Sequence, residues 1–408
     1  MMQLEGKTIT FIGLNYAPED TAIGLYSTQM VDAFAAAGAY VNVVTAMPYY
    51  PQWKIQKPYD TAENYLAEQN ETITIYRYKQ YVPATPTFLK RILHILSFTY
   101  GSWRNLQKIK KTDLVISIIP FTTSAYLGGR HARKHQVPHW IHIQDFEFDA
   151  ALQSGVSGGS KKQVFKQLFK IEKSILDKAS KVSTISHLMI KKLQSKTKTP
   201  THYLPNWIDP ASFQVDDSRE NHTYLQSKKF KLLYSGNVGD KQDWEFFLAF
   251  AKAIPSQHFE IIVVGAGSRM QWLKENVQLD NVHYYDPVPY ADLPWLLSSA
   301  DAHFLFQKED VIDTVMPSKL LGMMASGKPS LVLGNAASEV RNVLEDSNGG
   351  VYTSDYTVEG AVATLLNWKE RPDVPHQMGM QARSYVKKHF SRSQILDQWI
   401  DQLASLVP

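Results

Sequence analysis

The chain has 408 residues, long for one domain and comfortable for two that each bury their own core. Hydrophobic residues make up 44% and charged residues 20%, an ordinary globular balance, and a net charge of +4 is too small to argue for nucleic acid. Cysteine is absent, which excludes disulfides, thiolate nucleophiles and cysteine-based metal sites and fits a reducing compartment.

Met1–Gly6 runs directly into an apolar strand with no basic or cleavable apolar leader, so no signal peptide is expected. No apolar run approaches bilayer-spanning length, and a soluble or peripheral protein is expected. Short apolar runs then alternate with helical patterns from end to end, the signature of parallel α/β architecture. In the first half the pattern predicts strands near Thr8–Gly13, Val41–Thr45, Thr72–Tyr76, Leu114–Ile118, His139–Ile143 and Val182–Ile185. Helices are predicted at Leu25–Ala37, Phe88–Ile109, Ser124–Lys134 and Val164–Ala179. After a polar stretch, Asp216–Lys229, strands follow near Lys231–Tyr234, Glu260–Val264, Val282–Tyr284, His303–Phe306 and Ser330–Val332, and two helices fill most of Val374–Leu406. Two consecutive βαβ series predict two doubly wound domains: 1–215, a linker at 216–229, 230–390, and a tail at 391–408 expected to pack back on the first.

Four segments carry possible chemistry. Gly13–Gly24 leaves a strand and opens a helix, whose unpaired N–H groups suit a phosphate or a hydroxyl. Its glycine spacing is not that of a dinucleotide site, so NAD binding is disfavoured; a plain loop with Glu19 and Asp20 solvated is the simpler reading. In Trp140–Asp149, His142, Asp145 and Glu147 cluster where a buried strand stops, and could touch substrate hydroxyls or take up a proton. A satisfied core His142 and an N-capping Asp145 are equally good alternatives. Tyr234–Gln242 offers Gly236, Asn237 and Lys241 to a diphosphate, supported by a second glycine-rich turn at Gly265 and Gly267. Last, Lys308, then Pro317, Ser318 and Lys319 at a helix start, could hold phosphate oxygens, with a structural Pro–Gly bracket ending at Gly327 as the alternative.

In this order the segments resemble the family 4 retaining glycosyltransferases of the GT-B fold, two Rossmann-like domains facing across a cleft. The branch they look most like builds colanic acid, O-antigen and capsular polysaccharides. The carrying residues are Asn15-Tyr16-Ala17-Pro18-Glu19 with Ile23-Gly24 and Tyr26; Thr45–Pro51; His142-Ile143-Gln144-Asp145; Ser183–Ser186; Pro205-Asn206-Trp207; Ser235–Gly239; and Pro317-Ser318-Lys319-Leu320. The resemblance implies an N-terminal acceptor domain and a C-terminal nucleotide-sugar domain, with transfer that retains anomeric configuration and needs no metal or cofactor. Lys241 would be a principal phosphate contact, aided by Lys319 and the amides near Ser318, with Pro289 near the base. His142, Asp145 or Glu19 would serve the reacting centre. The donor would be a UDP- or GDP-sugar (hexosyl, fucose-type or N-acetylated) and the acceptor an undecaprenyl-diphosphate-linked saccharide at the cytoplasmic face of the membrane. Two departures stand out. Asn237 occupies a position where many members carry Arg, and of two Glu residues usual near the fourth segment, one falls on Gly322 and the other near Asp313 or Thr314.

One further pattern bears on location. From Thr72 to Thr112 there is no acidic residue, and a second acid-free stretch, Ala150–Ile171, carries Lys161, Lys162, Lys166 and Lys170. Leu89, Ile92, Leu93, Leu96, Tyr100 and Trp103 recur at helical spacing, with Lys90, Arg91, His94, Arg104 and Lys108 off that line. A helix packed on the sheet with a solvated basic face is the simpler reading of this stripe; an interfacial helix drawn to anionic lipid is the other. Rival functions are a sugar-nucleotide 2-epimerase and a catalytically silent glycan-binding protein of the same fold.

Overall fold

The computed structural model describes residues 3–20, 22–85, 87–153, 159–213, 220–311 and 318–407. The chain divides into two compact units, 1–205 with 395–408, and 206–394. The division therefore falls before Asn206, ten residues ahead of the boundary at 215/216 read from polarity, and again within the helix Arg392–Ala404.

The first unit is built on strands β1 (Thr8–Ile12), β2 (Tyr40–Ala46), β3 (Tyr65–Gln69), β4 (Ile73–Tyr78), β5 (Leu114–Ile119), β6 (His139–Ile143), β7 (Lys181–Thr184) and β8 (Thr201–Tyr203). They form one eight-stranded sheet in the order β3-β4-β2-β1-β5-β6-β7-β8. Every pair is parallel except β3 with β4. Helices cover both faces, so β1, β5 and β6 are buried along their whole length; such strands are mainly apolar, and buried polar members such as Thr10, Ser117, His139 and His142 are hydrogen-bonded.

The second unit contains β9 (Phe230–Ser235), β10 (Phe259–Val264), β11 (Val282–Tyr285), β12 (Ala302–Phe306), β13 (Ser330–Leu333) and β14 (Gly350–Thr353). Their order, β11-β10-β9-β12-β13-β14, is all parallel. In both sheets the strand order reverses beside the first strand, where the loops leaving β1 and β5, or β9 and β12, diverge and open a crevice.

Three strands escape the sequence pattern. β3, β8 and β14 close sheet edges, are five residues or fewer and are only partly buried, so no apolar run marks them. The stretch read as a linker, where described, is packed against the second unit: Leu225 is fully buried, Ser299 Oγ accepts the His222 amide at 2.9 Å, and Trp295 Nε1 donates to the Glu220 carbonyl at 2.9 Å. Its polar composition hides the apolar anchors Leu225 and Tyr224, the latter stacked on Tyr285. The tail residues Ile395–Pro408 belong to the first unit, where Trp399 is buried edge-on against Phe34 and Trp140.

Candidate active site

In the second unit, the segments that follow the parallel strands leave the same edge of the sheet. The loop after β9 is pinned to the loop after β10: the Gly236 amide donates to Val264 O at 2.9 Å, Val238 N to Ala266 O at 2.9 Å, and Arg269 N to Val238 O at 3.0 Å. The two loops approach so closely that a Cβ on Gly265 would lie 2.0 Å from Gly236 O, and one on Gly267 would lie 2.2 Å from Val238 O. These two glycines are thus required by loop-on-loop packing, whatever else they touch. Gly236 itself has φ of 140°, a region that side chains rarely adopt, and a Cβ there would stand 3.4 Å from Lys319 Nζ.

Lys319 lies in the first turn of the helix Ser318–Ala325. Its ammonium donates to the Tyr234 hydroxyl at 2.8 Å and sits 4.6 Å from that ring's centroid. The same hydroxyl donates to Asn237 O at 2.5 Å. Lysine charge, the glycine turn and the exposed Asn237 are therefore assembled around one buried tyrosine. Asp313, Thr314 and Pro317 lie outside the described residues.

Lys241 and Lys308 meet through the main chain. Lys308 N donates to Lys241 O at 3.1 Å, Gln242 bridges Gln307, and Asp243 N donates to Phe306 O at 2.9 Å. The strip 241–243 is thereby laid along the end of β12, at the reversal of strand order. Asp243 also caps the helix Trp244–Ala253, accepting the Phe246 amide at 2.8 Å. Pro289 is exposed beyond β11 and opens the turn Tyr290–Asp292. Gly322, aligned with one missing Glu, is buried, and a Cβ there would meet Leu297 Cδ1 at 3.1 Å.

In the first unit the structure redistributes the roles expected from sequence. Glu19 is buried, not solvated: one carboxylate oxygen accepts the amides of Tyr49 and Tyr50, each at 2.7 Å, and the other accepts Asn15 Nδ2 at 2.8 Å. Burial raises its carboxyl above the ordinary range, and the Tyr50, Tyr49 and Asn15 bonds pull it back. Gly24 lets this carboxylate approach the helix Ala22–Ala36, since a Cβ would fall 2.8 Å from Glu19 Cβ. Gly13 directly follows β1, and a Cβ there would meet Phe11 Cε1 at 3.3 Å and Ile118 Cβ at 3.5 Å.

His142 is enclosed as well. Nδ1 bonds Ser183 Oγ at 2.9 Å, Nε2 bonds Gln144 Nε2 at 3.0 Å, and the ring lies 5.1 Å from that of Trp399. Burial pushes its pKa down to about 3. The ring fastens β6 to β7 as a satisfied core histidine, and in this arrangement it presents no face to a ligand. Glu147 anchors a helix start, accepting the Thr122 amide at 2.7 Å. Asp145, between them, is exposed.

Arg77 belongs to the acid-free stretch Thr72–Thr112. It is 2% exposed: Nε pairs with Glu68, and NH2 donates to Ala17 O at 2.6 Å in the loop after β1. Its signal in sequence was present but weak, a cation inside an apolar strand.

Residues 21–207 match the glycosyl transferase 4-like domain family, and residues 216–385 match the glycosyl transferases group 1 family. A protein of Escherichia coli (strain K12) named as a colanic acid biosynthesis glycosyl transferase, WcaI, is 33% identical over 97% of this chain and 99% of its own. The chain belongs to the family 4 glycosyltransferases. The fold agrees across its length. Sucrose-phosphate synthase of Thermosynechococcus elongatus superposes with a TM-score of 0.77 at 15% identity, covering 98% of this chain and 99% of that one. Anabaena HepE, solved with UDP and glucose, gives 0.70 at 13% identity, covering 98% and 100%. This glycosyltransferase therefore has the GT-B fold, and its lysines lie where a doubly wound sheet offers ligand-binding loops.

Proposed function

We propose that this glycosyltransferase moves a hexosyl, fucose-type or N-acetylated sugar from a UDP- or GDP-sugar to a lipid-linked saccharide during surface polysaccharide biosynthesis (capsule, O-antigen or exopolysaccharide), with retention at the anomeric carbon. The kinship with WcaI over nearly the whole chain supports the pathway, and HepE, holding UDP and glucose on the same fold, supports the donor class. The observation that carries the reading is the cationic array at the reversal of strand order in the second unit. Lys319 stands beside Gly236 in one of two loops packed backbone to backbone, and Lys241 and Lys308 are joined through their main chains at the end of β12.

In the reaction the bond from the anomeric carbon to the diphosphate breaks, its electron pair leaves with the nucleoside diphosphate, and the carbon bonds an acceptor hydroxyl. Lysine ammonium groups stabilise the developing charge on the phosphate oxygens, the task a divalent ion performs in other transferases. Asp145, exposed at the end of β6, takes up the acceptor's proton. His142 and Glu19 act through position, since both are enclosed. Among the described residues no helix is long and apolar enough to cross a membrane. The acceptor, an undecaprenyl-diphosphate-linked saccharide, is met by a protein resting peripherally on the cytoplasmic face.

Calorimetry with UDP and with GDP, followed by incubation with a panel of sugar nucleotides and lipid-linked acceptors, tests this. Acceptor-dependent release of nucleoside diphosphate is expected. Interconversion of the free donor would replace the reading with epimerisation, and binding without turnover would replace it with a silent protein.

A further inference from the structure

The helix Phe88–Leu106 is docked into the first unit by a mixed face, in which Phe98 and Leu106 supply apolar anchors and polar or small residues the rest. Its buried residues are His94, Phe98, Gly101, Ser102, Asn105 and Leu106. Asn105 Nδ2 donates to Arg77 O at 3.2 Å, Ser97 Oγ accepts the Tyr81 amide at 2.9 Å, and Thr99 Oγ1 donates to Thr123 Oγ1 at 2.8 Å. Gly101 lies against the Tyr78 ring, where a Cβ would meet ring carbons at 2.0 Å. These contacts fix the helix axis and leave no room for it to roll.

The opposite face is apolar and in solvent. Leu89 is 71% exposed, Leu96 57%, Leu93 55%, Tyr100 54%, Trp103 43% and Ile92 38%. At helical spacing these six fall within an arc of about 100° and run along roughly 21 Å of axis. Among the described residues, large exposed apolar side chains elsewhere are scattered along the chain, as on most proteins. An outward stripe of this length marks a surface that something covers.

Charge selects the occupant. Lys90, Arg91 and Arg104 are exposed on the same helix, Lys110 and Lys111 follow it, and no acid occurs from Thr72 to Thr112. A second copy laid on this face would bring the two sets of exposed cations together, whereas an anionic surface complements them. Tyr100 and Trp103 close the stripe with rings suited to the headgroup region.

We propose that this face of the helix lies in the headgroup layer of an anionic bilayer, with its axis parallel to the membrane and the leucines inserted. The proposal deepens the reading above, in which the acceptor is lipid-linked, and names the surface that meets the lipid.

Flotation of the full chain with phosphatidylcholine vesicles, and with phosphatidylcholine–phosphatidylglycerol vesicles, tests it. Recovery is expected with the anionic vesicles and is expected to fall tenfold or more in L93E/L96E, whose side chains are more than half exposed. A K90E/R104E variant is expected to lose the preference for anionic lipid. Equal recovery with both vesicle types, or unchanged flotation of L93E/L96E, overturns the proposal. So does sedimentation showing a dimer that L93E/L96E dissociates, which assigns the face to a second copy. Calorimetry with UDP and GDP on the same preparations separates the two readings. Retained nucleotide binding in non-floating L93E/L96E supports the docking face. A wild-type chain that binds nucleotide but no vesicle overturns the docking face and leaves the transferase standing. A chain that floats but binds neither nucleotide overturns the transferase reading alone.

Discussion

Lys319 and Tyr234 are 85 residues apart in the chain, yet the lysine ammonium rests on the tyrosine hydroxyl at 2.8 Å while that hydroxyl holds Asn237 O. One buried side chain thus ties a charge on the helix Ser318–Ala325 to the glycine turn after β9. If Tyr234 positions Lys319 for a phosphate, Y234F should weaken UDP or GDP binding several-fold and cost on the order of 1 kcal/mol of stability. In a K319M background the same change should have no further effect on affinity. Calorimetry on the four proteins checks this double-mutant cycle; additive losses would dissociate the two residues.

Lys241 and Asp145 should separate binding from turnover. A lysine contact to a charged phosphate contributes about 1.5–3 kcal/mol, so K241A is expected to raise the nucleoside diphosphate Kd roughly 10- to 100-fold. D145N is expected to lower kcat with little change in donor Kd. Steady-state kinetics beside calorimetry reads both, and a D145N enzyme with normal turnover would remove Asp145 from the reacting centre.

Glu19 distinguishes a brace from a catalyst. E19Q keeps an oxygen for the Tyr49 and Tyr50 amides, and Asn15 can turn its own amide over to match, so stability and turnover should be near wild type. E19A strands two amides and should cost roughly 2–4 kcal/mol. Denaturant melts give the stability, and a stable E19Q without activity would return Glu19 to the chemistry.

Gly265 tests whether the second turn serves the first. The Cβ of G265A would meet Gly236 O at 2.0 Å, backbone against backbone, so the two loops must part. A loss on the order of 1–3 kcal/mol is expected, together with weaker nucleotide binding. Full affinity in G265A would show that the loops bind ligand without being pressed together.

Acid should unfold this protein through its buried imidazoles. Burial holds His139, His142 and His303 at about 3, below their ordinary range near 6.5. A folded-state value below the unfolded one means stability present above about pH 6.5 and lost as pH falls toward 3. Each ring removes about 1.4 kcal/mol per pH unit in that window. Melts from pH 7.5 to 5 should show the decline, and H142Q, or H303Q if the former does not fold, should flatten it by one ring's share. An unchanged slope in both variants would refute the assignment.

The parallel strands were legible because burial on both faces leaves a short, largely apolar run, as in β1, β5 and β6. The glycine turns and lysines were legible because they follow such runs directly. The state of each polar residue was not. His142 and Asp145 read alike at a strand end, but Ser183 and Trp399, far along the chain, enclose one and not the other. Glu19 read as solvated because its amide partners belong to a separate loop.

By itself the sequence determined two doubly wound halves, the glycosyltransferase family and the places where chemistry could sit, since each depends on local periodicity and motif order. Only the tertiary structure decided which side of the helix Phe88–Leu106 faces water, which carboxylate is a brace, and that Tyr234 carries Lys319. Those outcomes are set by contacts between residues distant in the chain, such as Asn105 with Arg77 and Tyr49 with Glu19, and no local pattern encodes them.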